Sequence, residues 1–286
     1  MSHQNLKFLF FGTPDVASKT LEILKGKGYI PEVIITSPDK KSGRGLQMHE
    51  TPVATWAKEN NIKCLKPEKI DEEFTLKLST FNFQLSIVVA YGKILPEILI
   101  KKPELGTINI HYSLLPKYRG ASPLESTLLN GDEVTGISIQ QMEYKLDSGP
   151  ILAEEKLEIS INETKEEIRE DLIRLGANVL CDTIPKIINK EITPKIQDES
   201  LASFCNKIKK EDGEIDIVAG NPRKNWNKYR AFYGWPGVFF FINKNDKKLR
   251  IKIKEAIYEN NLFKIRKVIP EGKKEISYED FKKNMI

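Results

Sequence analysis

Thr107-Ile-Asn-Ile-His-Tyr-Ser-Leu-Leu-Pro-Lys-Tyr-Arg-Gly-Ala-Ser-Pro123 opens as a strand and breaks into a stretch rich in turn formers. The strand, residues 106–110, is one of a set. Residues 85–90 form a fully apolar one, and 6–11 and 32–36 read as two more. Apolar strands without polar alternation are buried on both faces, and their separation by helical patterns places them parallel in one sheet. The first helix follows the turn Gly12-Thr13-Pro14-Asp15 and carries Val16, Leu21, Ile23 and Leu24. Residues 52–60 read as a helix with Thr51 as N-cap and Pro52 at its first position.

Beyond residue 110 the pattern changes. Ser122 and Pro123 open a helix that stops at Asn130-Gly131. Strands are expected over 136–142 and 151–159, joined by a loop holding Leu146-Asp-Ser-Gly-Pro150. A long helix follows. Thr164 and Glu167 have capping-box spacing, Ile168, Leu172, Leu175, Val179 and Ile187 make its apolar face, and Pro185 is placed to kink its end. Residues 190–206 are mixed and polar, and read as a linker. From 207 onward the strands 237–242, 249–256 and 261–268 are punctuated by turns, which predicts an all-β module, a small barrel. The expected organisation is therefore an α/β domain over 1–189, a linker over 190–206 and a β domain over 207–286.

The 286 residues are 40% hydrophobic and 30% charged, enough for a sizeable core. No run approaches the ~18 apolar residues that span a bilayer, and the apolar run at 8–11 is too short for a signal peptide. Cys64, Cys181 and Cys205 lie far apart with no CxxC pair, which points to free thiols in a reducing cytoplasm and to no zinc site. Charge is uneven. Residues 207–286 carry 20 Lys+Arg and 11 Asp+Glu, a net +9, while 1–206 carry 25 and 29, a net −4. A basic module on a mildly acidic one suits a polyanionic partner, although lysine-rich solvated surface has the same composition.

Asn109 and His111 are two apart on a strand, so both side chains point to one face, at the carboxyl end where open α/β sheets place their ligands. An amide donor beside an imidazole suits acyl transfer. The donor stabilises charge developing on a carbonyl oxygen, and the imidazole moves protons near neutral pH. A carboxylate is then wanted to hold the histidine, and Asp147 in its loop offers one, although read alone it is equally a turn residue. Gly12-Thr13-Pro14 is not a dinucleotide fingerprint, and no P-loop, HExxH or serine elbow is present.

The run from Asn109-Ile-His111 through Ser113-Leu-Leu-Pro116 to Arg119-Gly-Ala-Ser-Pro123, with Leu146-Asp-Ser-Gly149 downstream, resembles the signature of the folate-dependent formyltransferases. The likeness spans nearly the whole chain, from Phe11-Gly-Thr-Pro-Asp15 through Val89-Ala-Tyr-Gly92 and Tyr229-Arg-Ala-Phe232 to Pro270-Glu-Gly-Lys-Lys274, and is strongest to the branch that acts on initiator methionyl-tRNA. It implies a Rossmann-like formyltransferase domain followed by an OB-like β-barrel domain, 10-formyltetrahydrofolate as formyl donor, no metal, and a cytoplasmic monomer. It assigns catalysis to Asn109, His111 and Asp147 and folate contacts to Ser113, Leu114, Leu115 and Pro116. Arg44, in Ser42-Gly-Arg-Gly45, matches an arginine that meets the acceptor end of the tRNA, a task suited to its planar fork. Departures stand at Leu46-Gln47, Pro150 and Ile217.

Overall fold

The computed structural model describes residues 6–42, 47–244 and 247–283. The first elements are β1 (Phe8–Gly12), α1 (Asp15–Gly26), β2 (Val33–Ile35), the hairpin β3 (Lys40–Ser42) and β4 (Gln47–His49), α2 (Pro52–Glu59) and β5 (Cys64–Leu65). Next come α3 (Glu72–Leu78), β6 (Leu85–Val89), α4 (Glu97–Ile100), β7 (Thr107–His111), β8 (Arg119–Gly120) and α5 (Pro123–Asn130). They are followed by β9 (Val134–Gln141), β10 (Ile151–Glu158), α6 (Lys165–Ile188) and β11 (Phe204–Cys205). The chain then forms α7 (Pro222–Ala231), β12 (Val238–Lys244), β13 (Lys247–Glu259), β14 (Leu262–Pro270), β15 (Ile276–Ser277) and α8 (Tyr278–Lys283).

The chain divides into two compact units. One comprises 1–119, 136–156 and 171–203, the other 120–135, 157–170 and 204–286. The first is built on a seven-stranded sheet of order β10-β9-β7-β6-β1-β2-β5. β1 pairs in parallel with β2 and β6, β2 with β5 and β6 with β7, whereas β7 and β9 are antiparallel. The apolar reading of the central strands is met: Phe8, Leu9, Phe10 and Phe11 are fully buried, as are Leu85, Ile87 and Val89. Chain order reverses at β1, which lies between β2 and β6, so the carboxyl ends of β1, β6 and β7 surround the crevice where such sheets bind ligands.

Two of the side-chain caps read from sequence form, and Gly131 ends α5 at φ +74, whereas Ser122 makes no side-chain capping bond at the start of that helix. Thr51 accepts from the Ala54 amide, and Glu167 reaches back to the Thr164 amide at 2.8 Å. Two helices lack a long periodic pattern and are absent from the sequence reading: α3, whose Asp71 cap accepts from Phe74, and the single turn α4. The polar stretch after residue 37 carries a further strand pair, the β3–β4 hairpin.

In the second unit β12, β13, β14 and β15 form an antiparallel sheet in that order. The strand-only reading of the tail omits α7 and α8. Asn221 caps α7 by accepting from Lys224, with Pro222 at the first position, and α7 is fastened by Trp226 Nε1 to the Ile161 carbonyl and Arg230 Nη1 to the Ser160 carbonyl. Burial, and then neighbouring Arg223, push the Arg230 guanidinium down to about 10.

Candidate active site

The antiparallel β7–β9 register sets Asn109 opposite Gln140 and His111 opposite Ser138. Directly opposed residues share a face, so four polar side chains gather at the carboxyl end of β7. Asn109 is half-buried, and His111, Ser138 and Gln140 are buried.

His111 is oriented from behind. Its Nε2 lies 2.9 Å from the Tyr118 carbonyl oxygen, which only accepts, so Nε2 carries the proton and Nδ1 is turned toward Asp147. Nδ1 stands 3.7 Å from Asp147 Oδ2, close but beyond hydrogen-bond length. The other carboxylate oxygen, Oδ1, accepts from Gln140 Nε2 at 2.8 Å.

The aspartate loop is pinned through its main chain as well. Asp147 has φ +46, a conformation that aspartate tolerates better than most residues. A Cβ at Gly149 would fall 1.8 Å from the Gln141 carbonyl oxygen, so glycine is required there. Gln197 Nε2 donates to the carbonyls of Asp147 (2.9 Å) and Gly149 (2.7 Å), while its Oε1 accepts from Arg119 Nε and Nη2. Arg119 also holds Glu199 at 2.8 Å, and Glu199 takes Lys145 at 2.8 Å. The Arg119 guanidinium first, and Lys145 second, hold the Glu199 carboxyl down at about 2. The loop is therefore closed on both flanks, at Lys145 and at Gly149.

Ser113, Leu114, Leu115 and Pro116 form the turn after β7. Ser138 Oγ donates to the Ser113 carbonyl and accepts from the Leu115 amide, and Ser113 Oγ donates to the Lys117 carbonyl. Ser113 and Leu115 are buried, and Leu114 and Pro116 are partly exposed. Arg44 lies outside the described residues. The hairpin that flanks it is tied at both roots by Lys66, whose Nζ donates to Asp39 (2.7 and 2.9 Å) and to Glu50 (3.1 Å).

The structure thus brings Asn109, His111 and Asp147 to one place. Sequence reasoning left out Ser138, Gln140, Gln197 and the role of Arg119. Ser138 and Gln140 had a signal, as polar residues two apart on a strand that alternates with Ile137 and Ile139. Gln197 and Glu199 had none, because long-range contacts from a polar segment leave no local pattern. Among the described residues no group of three or more His, Cys, Asp or Glu is arranged to hold a metal, and no helix is long and apolar enough to cross a membrane.

Residues 5–184 match the formyl transferase family profile and 207–264 match that of the formyl transferase C-terminal domain. The chain is 35% identical to a methionyl-tRNA formyltransferase of Thermodesulfovibrio yellowstonii, over 96% of this chain and 94% of that protein. It is 39% identical to one from Ruminiclostridium cellulolyticum, over 86% and 78%. Among solved structures, the methionyl-tRNA formyltransferase of Clostridium thermocellum superimposes with TM-score 0.61 at 17% identity, covering 95% of this chain and 99% of that one. A Helicobacter canadensis N-formyltransferase in complex with folinic acid and dTDP-3-aminofucose does so with TM-score 0.63 at 18% identity, covering 91% and 95%. With its sheet, its polar strand end and these matches over most of its length, the chain belongs to the formyl transferase family.

Proposed function

We propose that the protein transfers the formyl group of 10-formyltetrahydrofolate to the free amine of methionine on initiator methionyl-tRNA. The observation that carries the reading is the convergence of Asn109, His111 and Asp147 at the carboxyl end of β7. The names of the relatives that match along most of the chain support the substrate.

In this reading Asn109 donates to the formyl oxygen as negative charge builds there. The amine nitrogen bonds to the formyl carbon and the bond from that carbon to the folate nitrogen breaks. The amine loses one proton and the folate nitrogen gains one. Nδ1 of His111, the nitrogen left open by the Tyr118 carbonyl, is placed to carry that proton, and Asp147 steadies the charged imidazole. A donor, a proton carrier and a carboxylate suit a formyl carrier with an amide-like carbon–nitrogen bond. Ser113, Leu114, Leu115 and Pro116 would contact the folate.

The division of labour follows the sequence: 1–189 for chemistry, 207–286 for RNA, and 190–206 joining them while its Gln197 holds the aspartate loop. On β13, Lys248, Arg250, Lys252 and Lys254 alternate with the apolar Leu249, Ile251 and Ile253, and their cross-strand partners include Phe239 and Phe241. Arg250 lies 4.0 Å over the Phe239 ring and Lys248 4.0 Å over Phe241. A basic face interleaved with aromatics suits a nucleic-acid backbone and its bases. A cytoplasmic monomer completes the proposal, in keeping with the three free cysteines.

The test is direct. Incubation with 10-formyltetrahydrofolate and charged initiator tRNA should yield formyl-methionine. Transfer to an amino-sugar nucleotide with none to the tRNA would reverse the assignment.

A further inference from the structure

Gln140 is buried to 1% exposure on a strand whose neighbours Ile137 and Ile139 are fully buried. A packing role at such a position is met best by an apolar side chain, because a buried amide must find partners or lose stability. Among the described residues Gln140 finds only one. Its Nε2 donates to Asp147 Oδ1 at 2.8 Å, and its Oε1 is buried with no partner among the described residues. The orientation is dictated by chemistry, since the end of an amide that meets a carboxylate is its NH2 end.

The two oxygens of Asp147 are thereby divided. Oδ1 is taken by Gln140, and Oδ2 is the oxygen presented to His111 Nδ1, 3.7 Å away. Gln197 already holds the main chain of the same residue, through the carbonyls of Asp147 and Gly149. Main-chain clamping places the aspartate but leaves its carboxylate able to turn about its last torsion, which is broad and roughly two-fold. The hydrogen bond from Gln140 removes that freedom.

We propose that Gln140 is a positioning residue for formyl transfer, acting through Asp147: it fixes the plane of the carboxylate so that Oδ2 meets the His111 imidazole when that ring takes up a proton. This rests on the reading of Asn109, His111 and Asp147 as the catalytic set. Gln140 touches no reacting atom in this scheme. Its effect falls on kcat, where the imidazole becomes charged, and not on the binding of either substrate.

The test is a pair of variants and a cycle, with charged initiator tRNA and 10-formyltetrahydrofolate as substrates. Gln140→Met keeps the length and removes the hydrogen bond. It should lower kcat by about 10- to 100-fold, the scale of a small misplacement, with KM for both substrates within about threefold. Gln140→Glu keeps the shape and sets a second carboxylate against Asp147, so kcat should fall further. It also serves where the methionine variant does not fold, as far-UV circular dichroism will show. In an Asp147→Asn background Gln140→Met should cost less than about twofold, because its route of action is already gone. Near-normal kcat in both single variants overturns the proposal, as does an equal loss in the two backgrounds, which marks Gln140 as packing. If Asp147→Asn alone turns over at full rate, the catalytic reading falls and this proposal with it. If Asp147→Asn is inactive while both Gln140 variants work, only this proposal falls.

Discussion

His111 Nε2 sits 2.9 Å from the carbonyl oxygen of Tyr118, a residue held at φ +59 in the turn that follows β7. A carbonyl cannot donate, so this contact selects the tautomer and aims Nδ1 at the side of the ring where Asp147 stands. The turn that supplies the folate-contact candidates therefore also sets the histidine. Removing the imidazole by His111→Ala is expected to lower kcat/KM by about 10²–10⁴-fold. Asn109→Ala, which deletes the donor for the developing oxyanion, should cost about 10²–10³-fold. Asn109 is half-buried, so its variant should keep nearly the wild-type melting temperature. Steady-state kinetics beside thermal unfolding separates the two effects, and turnover near the wild-type rate in either variant would sink the mechanism.

Glu199 links acid stability to the aspartate loop. Its carboxyl falls from an ordinary 4.5 to about 2 through Arg119 and then Lys145. A carboxyl depressed in the folded state contributes stability that is fully present above its unfolded value and lost as pH drops toward the folded one. Stability should therefore fall between about pH 4.5 and 2, and Glu199→Gln should flatten that part of the curve. Denaturation midpoints measured across that range for both proteins give the answer; parallel curves would mean that the Arg119–Glu199–Lys145 contacts add nothing in solution.

The central sheet was readable because buried parallel strands are apolar throughout: residues 8–11 and 85–89 need no context to be recognised. The long helix was readable from Thr164 and Glu167, a local pair three residues apart. The site was half readable. Asn109 and His111 declare themselves by standing two apart at a strand end, but Gln140 becomes meaningful only once the β7–β9 register sets it opposite Asn109. Gln197 acts across fifty residues on Asp147 and Gly149, and no local spacing encodes that. α7 hid among strands because its buried face is carried by Trp226, Tyr229 and Arg230, residues a periodicity reading weights poorly.

Lys66 should matter to RNA and not to folate. It bridges Asp39 and Glu50, the two roots of the hairpin that brackets Arg44 in sequence. Lys66→Met leaves two carboxylates without their shared cation. Such half-exposed pairs are worth about 0.2–1 kcal/mol each, so KM for charged tRNA is expected to rise about three- to fivefold. KM for 10-formyltetrahydrofolate should stay within twofold. Arg44→Ala should hurt transfer to tRNA more than one lost charge implies, because the family resemblance implies that this arginine positions the acceptor end. Equal effects of Lys66→Met on both substrates would instead mark Lys66 as a general stabiliser of the first unit.

The basic face of β13 makes the most quantitative prediction. Arg250 and Lys252 stand opposite Phe241 and Phe239 on β12, and Lys248 stands opposite Asn243, so their charges lie along one strand at two-residue intervals. That spacing is about 6.6–6.8 Å, near the separation of successive phosphates in a nucleic-acid strand, so more than one can be neutralised at once. Every phosphate that a variant fails to neutralise should reduce the slope of log K against log salt by about 0.7–0.9. Replacing Lys248 and Lys252 together by Ala is therefore expected to flatten the slope by about 1.4–1.8 and to weaken tRNA binding most at low salt. Folate binding should not change. Arg250→Lys probes a second component. It keeps the charge but gives up the planar guanidinium stacked on Phe239, so affinity should fall with the slope unchanged. If the double variant binds tRNA with the wild-type slope, the +9 of residues 207–286 is solvated surface and the RNA-binding groups must be sought on other faces of the protein.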